Sequence, residues 1–113
     1  MASYEILDSQ DRLDTLLSEQ RRTIIFKHSL TCPVSTAGFR EFEKYLESRD
    51  DSEEATFALI QIQNQRPLSN HVADVTGVKH ESPQALVMEG GKVLWHASHW
   101  KITVASLKTA FEG

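Results

Sequence analysis

The run Thr-Ile-Ile-Phe at residues 23–26 constrains the fold more than any other segment of the chain. It consists of β-branched and aromatic residues with no helical period, the pattern of a strand buried on both faces in a parallel sheet. Such a strand needs helices on both sides of its sheet. We therefore predict an α/β fold with a central mixed sheet flanked by helices.

The rest of the chain alternates between strand and helix patterns. Strands are predicted at residues 4–7, 56–62, 85–88 and 93–95, and helices at about residues 9–20, 33–48, 67–76 and 104–111. Residues 47–54 carry no apolar side chain and are predicted to form a solvated loop. The order is then βαβαβαββα, in which short crossovers make the first three strands parallel and the final hairpin adds an antiparallel edge.

Small and polar residues mark the ends of these elements. Asp8 or Ser9 can cap the first helix, and Thr103 can cap the last one. Gly77 can end the third helix in a left-handed conformation. The glycine pair at residues 90–91 can adopt the positive φ angles of a tight hairpin turn.

Length and charge limit the classes of function. The 113 residues suffice for one domain, residues 1–113, with one core, as a monomer or weak dimer. Because the net charge is −4, there is no basic field to attract phosphate backbones or anionic lipid, and we expect no nucleic-acid and no membrane partner. The first residues lack the basic start and apolar run of a signal peptide, so we expect a cytoplasmic protein.

The one cysteine lies in the segment Thr31-Cys32-Pro33-Val34-Ser35, between a predicted buried strand and a predicted helix that Pro33 can begin. The first-turn N–H groups and the positive end of the helix dipole favour a thiolate, which is the reactive form. A single cysteine cannot form an internal disulfide, so its chemistry must be intermolecular. We interpret Cys32 as a nucleophile. The alternative is a small buried hydrophobic residue.

Two neighbours of Cys32 have open roles. The hydroxyl of Ser35, one helical turn later, can hydrogen-bond the cysteine sulfur but cannot close a disulfide; otherwise Ser35 faces solvent. His28, at the predicted strand end, either influences the thiolate or is simply partly exposed.

A second candidate segment is the turn at residues 78–84, which enters a strand through Pro83. In thiol folds with the order βαβαββα, a cis-proline at this place faces the cysteine. We therefore expect Pro83 to be cis and the backbone of Ser82 to pair with an extended substrate beside the sulfur.

A third candidate segment, residues 95–103, is rich in histidine and tryptophan. Aromatic faces provide contact area for a small thiol, while His99, Ser98 and Lys101 can hold carboxylates or sugar hydroxyls. The alternatives are that Trp95 is a core residue and that Trp100 packs on the last helix as a hydrophobic staple.

The histidines also allow a metal interpretation. His96 and His99, or either of them with Cys32, provide too few ligands in too loose a pattern for a zinc site, so we expect no metal.

Three separated segments together resemble one known family. They are residues 27–35, with Lys-His-Ser before Thr-Cys-Pro-Val-Ser; residues 80–84, His-Glu-Ser-Pro-Gln; and residues 95–100, Trp-His-Ala-Ser-His-Trp. In this order and spacing they are similar to the monothiol bacilliredoxins over nearly the whole chain.

The resemblance implies a thioredoxin-like fold and the removal of bacillithiol, a cysteinyl glucosamine malate thiol, from S-bacillithiolated proteins. Bacillithiol is then a co-substrate and those proteins are the partners, with no tightly bound cofactor. Cys32 is the implied nucleophile. The remaining implied residues are the motif residues Thr31, Pro33, Val34 and Ser35 and the substrate-binding residues His80, Ser82, Pro83, Ser98, His99 and Trp100.

Other functions fit the same residues. A glutaredoxin-like monothiol protein would use glutathione or coenzyme A in place of bacillithiol. A protein of another class would be a non-catalytic thioredoxin-like binding module, or an iron–sulfur carrier that ligates a cluster with Cys32 and an external thiol.

Overall fold

The computed structural model describes residues 3–49 and 55–113. In chain order the elements are β1 (Glu5–Ile6), α1 (Gln10–Ser18), β2 (Thr23–His28), α2 (Pro33–Ser48), β3 (Thr56–Gln61), α3 (Arg66–Thr76), β4 (Gln84–Glu89), β5 (Lys92–Ser98) and α4 (Val104–Glu112), with a 3-10 turn at His99–Lys101 before α4. The predicted order is confirmed. The first strand is shorter than predicted, and the fifth extends further.

The five strands form one mixed sheet in the order β1-β3-β2-β4-β5. β3 is parallel to both β1 and β2, as the short crossovers predict. β4 runs antiparallel to β2, with Phe26 opposite Ala85, and β5 completes the hairpin as an antiparallel edge. β2 is therefore the central strand, and the segment after it begins at the middle of the sheet.

Side chains of β2 alternate between the two hydrophobic clusters of the core, one on each face of the sheet. Ile24 and Phe26 pack with residues of α2 and α4 on one face of the sheet. Ile25 packs with residues of α1 and α3 on the other face. Because both faces of β2 are covered, its apolar residues follow one another without a polar alternation.

The residues predicted to cap or end helices, and to form the hairpin turn, take these roles in the structure. Ser9, rather than Asp8, caps α1 by accepting the Arg12 N–H at 3.2 Å. Gly77 ends α3 with φ 73°. Thr103 caps α4, where Ser106 completes a capping box. The hairpin glycines have φ values of 59° and 79°.

The predicted solvated loop at residues 47–54 is wrong at its start. Glu47 and Ser48 belong to α2, and Arg49 is buried, with its guanidinium 2.9 Å from the Tyr45 hydroxyl and 3.2 Å from the Glu112 carboxylate. This charge is tolerated in the interior because it is paired and hydrogen-bonded. Residues 50–54 lie outside the described part of the chain.

Among the described residues, no helix is long and apolar enough to cross a membrane.

Candidate active site

Cys32 is the residue that caps α2. Its backbone is extended, with φ −101° and ψ 122°, and Pro33 follows as the first helical residue. The Cys32 carbonyl accepts the Thr36 N–H at 3.0 Å, which closes the first turn. Within residues 3–49 and 55–113, no side chain caps the N–H groups of this turn and the half-buried sulfur has no hydrogen-bond partner. The sulfur therefore sits at a helix N-terminus with unused donors.

Ser35 points into the protein. The residue is fully buried, and its hydroxyl accepts the Ser29 N–H at 2.8 Å and lies 2.8 Å from Nδ1 of His28. Both expectations for Ser35 are wrong, since it neither bonds the Cys32 sulfur nor faces solvent. The first turn of α2 packs against the strand that precedes it. The Ser35 hydroxyl therefore lies next to the backbone of the connecting loop and not next to the Cys32 sulfur.

His28 is half-buried and held on two sides. Its ring stacks on Phe39 with 4.8 Å between the centroids, and its Nδ1 contacts Ser35. Burial lowers the pKa of His28 below the usual value for histidine. A neutral imidazole nitrogen can accept a hydrogen bond from the Ser35 hydroxyl. His28 is therefore connected to the loop through Ser35.

A glutamine from another loop braces the segment before Cys32. Oε1 of Gln63 accepts the Leu30 N–H at 2.9 Å, and its Nε2 donates to Ser29 Oγ at 2.9 Å and Thr31 Oγ1 at 3.3 Å. One amide group thus contacts three consecutive residues. Gln63 was not expected from the sequence, because no sequence pattern pairs residue 63 with residues 29–31.

Pro83 lies against α2. The Ser82–Pro83 peptide bond is cis, as expected, and Pro83 is buried. A Cβ placed on Gly38 would lie 3.3 Å from Cγ of Pro83, so a side chain there would crowd the proline ring. The Pro83 carbonyl accepts the N–H of His99 at 3.0 Å. Pro83 therefore connects the early part of α2 to the start of the 3-10 turn.

A groove of about 310 Å³ lies between α2 and residues 99–103. Two of the residues expected to bind substrate, His99 and Trp100, line it, and Trp100 is 71% exposed. Ser98 stands beside them, with its hydroxyl bonded to Glu81 at 3.0 Å. The third candidate segment thus forms one wall of a groove whose other wall is the helix that Cys32 begins.

Comparison with known proteins identifies the family. Residues 5–107 match the family model of monothiol bacilliredoxins. A solved structure described as a proposed oxidoreductase with a thioredoxin fold is 36% identical, with a TM-score of 0.85 over 95% of this chain and 92% of that chain. The chain belongs to the monothiol bacilliredoxin family.

More distant structures show the same fold. A thioredoxin from Malassezia sympodialis is 14% identical, with a TM-score of 0.78 over 99% of this bacilliredoxin and 90% of the thioredoxin. A thioredoxin from Trypanosoma brucei brucei is 17% identical, with a TM-score of 0.73 over 97% and 88% of the two chains. The expected thioredoxin fold is confirmed, and family and fold indicate a thiol oxidoreductase.

His80 lies apart from the groove of this bacilliredoxin. Its Nδ1 is 3.3 Å from the Lys27 ammonium and 3.2 Å from the Ser69 hydroxyl, on the α3 side of the sheet. Burial, followed by the charges of Lys27 and Arg66, lowers the pKa of His80. The structure therefore separates His80 from His99 and Trp100, although the resemblance implied that all three bind substrate.

The two tryptophans of the bacilliredoxin differ from each other. Trp95 is partly buried against the core that α2 and α4 cover, as its core interpretation predicted. The staple predicted for Trp100 is wrong. Ile102, directly before the Thr103 cap, occupies that place and is buried in the same core as Leu107 of α4.

Among the residues that the structure describes, no group of three or more histidine, cysteine, aspartate or glutamate side chains could hold a metal ion.

Proposed function

We propose that this bacilliredoxin removes bacillithiol from S-bacillithiolated proteins through Cys32. The observation that carries the proposal is the place of the chain's one cysteine, half-buried at the uncapped start of α2. The next turns of this helix pack on Pro83 at Gly38. The family match supports bacillithiol as the thiol.

The first step is a thiol–disulfide exchange. The Cys32 thiolate attacks the bacillithiol sulfur of the mixed disulfide, and the bond between that sulfur and the substrate protein breaks. The substrate cysteine leaves as a thiolate, which takes a proton from solvent. The substrate protein is reduced, and Cys32 now holds bacillithiol in a disulfide.

The second step needs a thiol from outside the chain. With one cysteine in the sequence and a buried hydroxyl at Ser35, no internal thiol can resolve the disulfide. A second bacillithiol attacks the bacillithiol sulfur, and Cys32 leaves as a thiolate. The products are bacillithiol disulfide and the free enzyme, so the electrons that reduce the substrate cysteine come from the free bacillithiol, which is oxidised, while the bacillithiol taken from the substrate stays in a disulfide. A partner reductase is the alternative source of these electrons.

The surrounding residues position the sulfur and the substrate. Gln63 bonds residues 29–31 and Ser35 bonds Ser29, so both hold the loop that leads to the start of α2. We assign the Ser82 backbone to an extended stretch of the substrate protein. Thr31, Pro33 and Val34 complete the loop and first turn around Cys32.

The test compares wild type with Cys32→Ala on one bacillithiolated protein in the presence of excess bacillithiol. We expect wild type to release bacillithiol rapidly and Cys32→Ala to show only the uncatalysed rate. Mass spectrometry of the substrate protein measures the release. Without free bacillithiol, the adduct should move to wild-type Cys32. Equal release by both proteins would overturn the proposal.

A parallel reaction on the same protein carrying glutathione tests the choice of thiol. We expect slower release of glutathione than of bacillithiol. Faster removal of glutathione would favour the glutaredoxin-like function instead.

A further inference from the structure

The side chains that line the groove along α2 carry an excess of positive charge, from Arg40 and Lys44 against Glu41. On its α2 wall lie Ala37, Arg40, Glu41 and Lys44, and on the opposite wall lie His99 and Trp100. Its volume of about 310 Å³ is within the range of roughly 300–1,000 Å³ that holds small molecules. No residue of its α2 wall was singled out by the sequence patterns.

The groove runs along the helix that Cys32 begins. Gly38 contacts Pro83, and the Pro83 carbonyl holds the N–H of His99, so both walls meet at this proline. Arg40 follows Cys32 by eight residues along α2, which at 1.5 Å per residue is about 12 Å along the axis. A small molecule joined to Cys32 can therefore extend along the groove towards Arg40.

The groove has two cationic side chains and one carboxylate, and this carboxylate already has partners within the protein. In the described part of the chain, Arg40 has no hydrogen-bond or ion-pair partner. Lys44 lies 3.5 Å from Glu41, and its side chain is 67% exposed. Glu41 is engaged elsewhere as well, because its Oε1 accepts the Val104 N–H at 3.3 Å, at the start of α4. A carboxylate ligand would find one free guanidinium and a nearby ammonium.

The opposite wall has an unusual backbone. His99 has φ 56°, a left-handed conformation that is uncommon for residues other than glycine. Two hydrogen bonds hold it there, from its N–H to Pro83 and from the Ile102 N–H to its carbonyl. Trp100 next to it presents a large exposed ring, a surface suited to packing against a sugar.

We propose that this groove binds the malate arm of bacillithiol, with Arg40 as the main contact for its carboxylates, Lys44 as a second cation and Trp100 against the glucosamine ring. The inference rests on the proposed function. Arginine suits this task because its planar guanidinium binds a carboxylate through two parallel hydrogen bonds. Arg40 and Lys44 are thus specificity residues, separate from the reacting sulfur.

The test uses two symmetric disulfides, that of bacillithiol and that of cysteinyl glucosamine, which lacks the malate. The rate at which each one modifies Cys32 is measured for wild type, for Arg40→Gln and for the double variant Arg40→Gln, Lys44→Gln. We expect wild type to prefer bacillithiol disulfide. Arg40→Gln should slow that reaction roughly five- to tenfold and leave the cysteinyl glucosamine reaction unchanged, since one charge-assisted contact is lost. Lys92→Gln, on the distant hairpin, is the matched control for loss of a cation.

The outcomes separate the two proposals. An unchanged preference in the double variant would overturn the groove assignment, and so would equal slowing of both reactions, which would place the effect on the sulfur. Neither result touches the proposed function. Failure of wild type to react with bacillithiol disulfide, while it still reacts with iodoacetamide, would overturn the proposed function itself.

Discussion

The hydroxyl of Ser35 lies 2.8 Å from Nδ1 of His28, inside the protein and behind the start of α2. The same hydroxyl accepts the Ser29 N–H, so one buried atom connects the end of β2, the loop after it and the first turn of the helix. Ser35 is therefore a structural part of the loop that carries Cys32.

Replacing Ser35 by Ala removes this connection. Because the Ser29 N–H and His28 Nδ1 both lose a partner in the interior, we expect the free energy of unfolding to fall by about 1–3 kcal/mol. Urea titration measures it. Thr36→Ala is the matched control, since the Thr36 side chain is exposed and its hydroxyl, among the described residues, bonds only the Cys32 carbonyl. A loss for Ser35→Ala no larger than for Thr36→Ala would contradict the structural role.

Lys27 makes the stability depend on pH in the alkaline range. Its ammonium is fully buried and donates to the Ser69 carbonyl at 2.9 Å, and burial lowers its pKa to about 8. In the unfolded chain a lysine has a pKa of about 10.4, so between these values the unfolded state binds more protons and the folded state gains stability as pH rises. The stabilisation is complete above about pH 10.4 and is lost as pH falls through about 8.

The measurement is the free energy of unfolding of wild type and Lys27→Met across this range. The difference, wild type minus variant, should rise by an amount on the order of 3 kcal/mol between about pH 7.5 and pH 10.5. Lys108→Met, at an exposed position, controls for loss of a lysine. A constant difference would show that Lys27 titrates alike in both states.

Gln63→Ala should loosen the loop before Cys32. The Leu30 N–H loses its acceptor, and a hydrogen bond of about 1 kcal/mol corresponds to roughly fivefold faster local opening. Hydrogen exchange at the Leu30 amide reports this opening directly. Asn64→Ala serves as control, because Asn64 bonds only Gln61 in the described residues and does not contact the loop. If the Leu30 amide exchanged hydrogen at the same rate in both variants, Gln63 would not stabilise this loop.

Gly38→Val should force α2 away from Pro83. A Cβ added at this position would lie 3.3 Å from the Pro83 ring and 3.5 Å from Phe26, so the two methyl groups of Val would overpack the site at a cost of about 1–3 kcal/mol. Calorimetric unfolding measures the loss. Ala105→Val, at an exposed position of α4, isolates the smaller cost of a β-branched residue in a helix. A loss equal to that of the control would mean that the contact relaxes freely.

The sequence by itself determined the element order, the strand directions and the caps at Ser9, Gly77 and Thr103. These depend on local preferences: periodicity, φ angles that few residues adopt, and crossovers too short to reverse a strand. The place of Cys32 between a buried strand and a helix follows from the same local rules. The cis form of Pro83 was expected from the place of Cys32 and is present in the structure. The thioredoxin-like fold came from the resemblance to a family, and the comparisons confirmed both family and fold.

Only the tertiary structure decided which side chains meet. A strand buried on both faces has no polar side to orient it, so the pattern could not say that Lys27 would contact Ser69 and His80. Ser35 acquires its role because the turn into α2 brings it back onto residues 28 and 29. Gln63 acquires its role from residues distant in sequence, and Arg40 from the wall of a groove. In the same way, Trp100 remained exposed because Ile102 took the buried place next to α4, which is a matter of packing volume and direction.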